Sequence, residues 1–119
     1  MPGEHRPREA RDTTTGRVIA LDLEYATNLW TRFRGLMLRR ELRAGHGLLI
    51  RPCSSIHMMW MRFPIDAVFV SASGRVTGVS RNVHPWWGFA RGGRDTDAVL
   101  ELRVGAAAGV EAGHQLDFS

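Results

Sequence analysis

The stretch from Cys53 to Val70, CSSIHMMWMRFPIDAVFV, constrains the fold more than any other part of this chain. It holds the single cysteine, three of the five methionines, a histidine, and an acid set inside an apolar run. Read with the two-residue period of a strand, Cys53, Ser55, His57, Met59 and Met61 share one face, and Ser54, Ile56, Met58 and Trp60 share the other. Neither face is polar enough to meet water, so a strand covered on both sides is expected. Pro64 removes a backbone donor and interrupts the ladder. After Asp66, Ala67-Val68-Phe69-Val70 reads as a second strand, and the core is expected here.

The flanking segments supply the other layers. Residues 1–15, rich in Pro, Arg, Glu and Thr without periodicity, read as a disordered lead-in to a single domain over 16–119. RVIALDLEYA, from Arg17, reads as a strand. Thr27 or Asn28 can cap a helix, in which Leu29, Trp30, Phe33, Leu36 and Met37 recur as an apolar stripe. GLLIRP is a short strand stopped at Pro52. A hairpin turns at Ser73-Gly74 and returns as RVTGVSRNV. HPWWGFARGGRDTD, residues 84–97, has no pattern and reads as a long loop whose aromatics pin it to the core. AVLELRV is a strand, AAAGVEAG a short helix ending near Gly113, and HQLDF a closing strand. The sum is an α+β domain, mostly antiparallel sheet packed on one main helix plus a short C-terminal helix.

Charge and composition narrow the function classes. All sixteen basic side chains are arginine, and a small surplus gives a net charge of +4. The arginines are scattered, the densest group being Arg32, Arg34, Arg39, Arg40 and Arg43, and this predicts a solvated face with only weak nucleic-acid binding. No apolar run reaches the length of a membrane-spanning helix, and the N-terminus lacks the apolar region of a signal peptide. One cysteine suits a reducing compartment, so a cytoplasmic protein is expected.

Few residues offer chemistry. Cys53 and His57 lie on one strand face but too far apart to form a thiol–imidazole pair, unless Cys53 sits in the turn after Pro52. Asp66 either locks the turn after Pro64 through backbone N–H groups or shares a pocket with His57 and Arg62. Glu101, an acid within an apolar strand, is expected to face water. No metal-ligand spacing, phosphate-cradling glycine loop or serine nucleophile motif is visible, so neither a metal nor a cofactor is expected.

RFRGLMLR, IHMMWMRFPIDAVFV, the hairpin return and VLELRVG followed by AGHQL occur here in an order that resembles the family catalogued as domain of unknown function 192. The resemblance covers about residues 16–119. It implies a compact, barrel-like α+β domain with no established catalysis. His114 stands where members of that family commonly carry an acid. The expectation is a small domain, monomer or weak dimer, binding an unidentified small molecule or protein. Its site would be a mouth lined by His57, Met61, Arg62, Asp66, Trp86 and Trp87. An enzyme using His57, Asp66 and Cys53 is the alternative, decided by whether those three groups open into one cavity.

Overall fold

The computed structural model describes residues 9–26, 42–59 and 61–119. Ten strands run through them: β1 (Ala10–Asp12), β2 (Arg17–Ala20), β3 (Asp22–Ala26), β4 (His46–Ile50), β5 (Ser55–His57), β6 (Ile65–Ser71), β7 (Val76–Val83), β8 (Phe89–Arg91), β9 (Thr96–Arg103) and β10 (Leu116–Phe118). The backbone of the molecule is a five-stranded sheet in the order β3-β4-β9-β6-β7. Only the β3–β4 pair is parallel. β9 lies between β4 and β6, and Ala98 to Leu102 are all buried. Ile65 to Val70 of β6 are likewise buried without a break, the pattern of strands covered on both faces.

Two cores result, one on each face. Ile65, Ala67 and Phe69 of β6 pack with Leu48, Ile50 and Val99 on the first face, under Ile56 of β5 and Ala90 of β8. Val68 and Val70 pack with Leu49, Leu100 and Leu102 on the second, under Ala10, Ile19 and Leu116. The antiparallel β5–β8 ribbon thus roofs the first core, and the three-stranded sheet β10-β1-β2 roofs the second.

The α+β, barrel-like expectation is corrected by this arrangement. The described residues are all strand, turn and loop, with no helix among them, and the sheets stay open, with β3 and β7 as the edges of the large one. The expected main helix, capped at Thr27 or Asn28 and carrying the stripe from Leu29 to Met37, lies outside the described residues. The expected C-terminal helix over AAAGVEAG is a chain of tight turns. Gly109, in the middle of that segment, adopts φ 83°, which a right-handed helix cannot accommodate.

Two further boundaries move. Residues 9–15, expected in the disordered lead-in, contain β1, the middle strand of its sheet, which pairs Ala10 with Phe118 and Asp12 with Leu116. The strand expected from Cys53 to Met61 shrinks to Ser55–His57. Met58 ends it by turning its carbonyl onto the N–H groups of Met61, at 3.0 Å, and Trp86, at 2.8 Å. No helix among the described residues is long and apolar enough to cross a membrane.

Candidate functional site

Asp66 is buried at the start of β6, on the side of the second core. Asn82 donates its backbone N–H to Oδ1 at 2.9 Å. Gly105 and Ala107 donate theirs to Oδ2 at 2.9 and 3.1 Å. Both oxygens are therefore engaged, and three donors offset the cost of burying the carboxylate. The group ties β6 to the end of β7 and to the turn after β9. It fastens three segments of the chain together.

His57 belongs to a different surface. In the β5–β8 ribbon Ile56 pairs with Ala90 and both point inward, so the flanking pairs His57–Phe89 and Ser55–Arg91 point outward. His57 is exposed, whereas Cys53 is half-buried against the first core and donates its thiol to the Ser55 carbonyl at 3.1 Å. The five-stranded sheet separates the His57 face from the side on which Asp66 is bonded. The three groups do not converge on one cavity. A cleft of about 620 Å³ is present, but none of the three lines it.

What gathers around His57 is apolar and exposed. Its ring meets Phe89 edge-on, with centroids 5.6 Å apart and planes at 72°. Met59, Trp86, Trp87 and Phe89 are 53, 50, 73 and 58% exposed. A tight turn holds the two tryptophans there. Gly88 donates to the His84 carbonyl at 2.9 Å, and Met58 clamps the turn from both sides, donating to the Gly88 carbonyl and accepting from Trp86. A Cβ on Gly88 would lie 2.2 Å from the His84 carbonyl oxygen, so only glycine closes this loop. Trp86 sits at φ 74°, a conformation that disfavours a bulky residue. Trp87 stacks on the His84 ring at 3.9 Å.

Aromatics in such a loop more often pin it to the core, but Trp86, Trp87 and Phe89 lie exposed. Of the residues expected to line a mouth, His57, Trp86 and Trp87 share this surface, Arg62 is exposed nearby in sequence, Met61 is buried in the first core, and Asp66 is elsewhere. Met59 and Phe89 were missed. The alternation Phe89-Ala90-Arg91, with a small apolar residue between two large ones, was the available signal.

Four other titratable groups are buried or half-buried. Glu101, expected at the surface, is fully buried because β9 is central, and it faces the first core beside Val99. His46 is buried next to Asp22 and Glu24, each 3.5 Å away. His114 places Nδ1 2.8 Å from Oδ2 of buried Asp12. Burial raises the Asp12 carboxyl, but the bond to His114 and those from the Thr14 and Thr15 backbones outweigh it and hold the group below the usual carboxylate value.

Comparison with known proteins agrees with this picture. The family model DUF192, described as an uncharacterised ACR, matches residues 10–118. A crystal structure of a protein of unknown function from Novosphingobium aromaticivorans DSM 12444 is similar, with 28% identity and a TM-score of 0.78 over 94% of this chain and 84% of that one. A protein from Sinorhizobium meliloti 1021, provisionally called a transcription regulator, shares 28% identity with a TM-score of 0.77 over 98% of both chains. No curated protein matches the chain.

Proposed function

The chain belongs to DUF192, an uncharacterised family, and from that premise we propose that it is a non-catalytic binding domain for a segment of a partner protein. The observation that carries this reading is the set of large exposed side chains Met59, Trp86, Trp87 and Phe89, on segments that the backbone bonds between Met58 and the 84–88 turn hold together. Aromatic and methionine side chains are enriched at protein interfaces, where they supply area at low entropic cost. The partner segment is acidic. Arg91 on the same ribbon face and Arg62 are exposed, and neither enters an ion pair among the described residues. A nucleic-acid role, which the description of the Sinorhizobium protein raises, is less well supported. Arg11, Arg17 and Arg81 donate to backbone carbonyls and Arg51 pairs with Asp97 at 2.8 Å. These side chains are already committed within the fold. A single cysteine suits the cytoplasm, a placement that fractionation of cells producing the full chain would check.

The test is a tryptophan-fluorescence titration of the full chain with synthetic peptides alternating Glu with Leu or Phe, and with Lys-containing counterparts. Binding of the acidic series, weakened at least about tenfold by Trp87→Ala and Phe89→Ala at unchanged Tm, is the expected result. Equal affinity for the variants would overturn the assignment of this face. Sedimentation showing a dimer that the same variants dissolve would assign the surface to a second copy of the chain instead.

A further inference from the structure

We infer a second binding site, for a small phosphate monoester bearing hydroxyl groups, in the cleft of about 620 Å³ between the β6–β7 turn and the turn before β9. This site is independent of the aromatic face. Two arginines, Arg75 and Arg94, line it from separate loops. Neither enters an ion pair among the described residues, so the lining carries two arginines against one carboxylate, that of Asp95. A phosphate dianion offsets that surplus and matches the planar donor fork of arginine. Ser71, Ser73 and Thr77 add hydroxyls to the lining. Together with the Asp95 carboxylate they can bond the hydroxyls of a sugar or polyol, and Asp95 disfavours a ligand made of anionic groups alone. The cleft volume falls in the range of ordinary small-molecule pockets.

The frame is fixed before any ligand arrives, and this separates the cleft from two arginines meeting by chance on a mobile surface. Thr77 and Thr96 bond through their hydroxyls at 2.6 Å, joining β7 to the start of β9. Gly93 packs so close to β7 that a Cβ there would lie 2.6 Å from the Thr77 carbonyl oxygen. On the opposite wall Gln115 donates to the Ser73 carbonyl at 2.7 Å, and Leu116 to the Gly74 carbonyl at 2.8 Å. The backbone of the turn before β9 is therefore anchored to β7, and that of the β6–β7 turn to the start of β10. A fixed backbone on both sides spares the cost of ordering the loops on binding.

The experiment titrates the isotopically labelled full chain with glucose 6-phosphate, inorganic phosphate and glucose, at matched ionic strength, following backbone amide shifts. Saturable shifts confined to residues 71–77, 93–96 and 112–113 are expected, tightest for glucose 6-phosphate and absent for glucose. Arg75→Gln and Arg94→Gln, both at exposed positions, should each weaken binding about tenfold while leaving the rest of the spectrum intact. Trp87→Ala should change nothing here. Shifts spread over the surface, equal affinity for the arginine variants, or binding of inorganic phosphate as tight as that of the sugar phosphate would each overturn the assignment.

Discussion

Asp66→Ala leaves three backbone donors, on Asn82, Gly105 and Ala107, without their acceptor. Unfolding by denaturant should show a loss of about 1–3 kcal/mol, at the upper end because the site is buried. Asp66→Asn offers one acceptor oxygen where two are used, so it should recover part of that loss and not all. His57→Gln should be nearly silent, and the double variant additive, since the five-stranded sheet separates the two groups. A coupling above about 1 kcal/mol would contradict that separation. The capacity of Asp66 to bind backbone donors was legible from its place after Pro64. The identity of two partners, 39 and 41 residues away, was not, because no local pattern encodes which distant turn folds against a strand. At Asp12 the consequence is a pH dependence. Its folded carboxyl binds protons less readily than the unfolded one, so its stabilisation is present above the unfolded value and is lost as pH falls from about 4 through the lower folded value. Asp12→Asn should flatten that acid limb in urea melts recorded between pH 6 and 2; an unchanged limb would remove Asp12 from the acid response.

At the scale of elements, the apolar runs identified the strands well and their ends poorly. Val76–Val83 and Thr96–Arg103 follow directly from their β-branched and alternating residues. The break at Leu21, which splits RVIALDLEYA into β2 and β3, has no sequence mark; it arises because Leu21 and Asp22 both donate to the carbonyl of Gly45. The three glycines of the 105–113 segment were the neglected sign, since their spacing suits successive turns better than a helix. The turn at 84–88 carries the element-scale prediction. Gly88→Ala forces a Cβ into the His84 carbonyl and must open the loop that displays Trp86 and Trp87. The expected outcome is a shifted tryptophan emission and lost peptide binding, with β6 and β9 amides unperturbed by NMR. A variant that still binds peptide like the parent would mean the turn's shape is incidental.

For the whole molecule the informative fact is that both large-sheet faces are roofed by short strands far apart in sequence. A single buried layer was evident from the Cys53–Val70 stretch; the second roof was not, because β1, only Ala10–Asp12, is too short and too polar to stand out. Removing residues 1–15 should therefore lower Tm by many degrees, exposing Leu116 and Ile19 of the second core, where an unstructured lead-in would have been dispensable. A truncated chain that melts with the parent would refute the role given to β1. The same ladder has a kinetic side. Its register joins Ala10 to Phe118 and Asp12 to Leu116, and Glu9 and Ser119 exchange two backbone bonds at 2.9 and 3.1 Å. On a ribosome the strand made first must wait for residues 116–118 before its ladder to β10 can close, so the second core is incomplete until they emerge. Refolding in milliseconds to seconds is expected, with the β1 amides among the last to gain protection in pulse-labelled hydrogen exchange. Early protection there would mean that β2 alone is enough to seat β1. A nascent chain left waiting in this way offers its uncovered apolar face to whatever chaperone passes before the ring is shut.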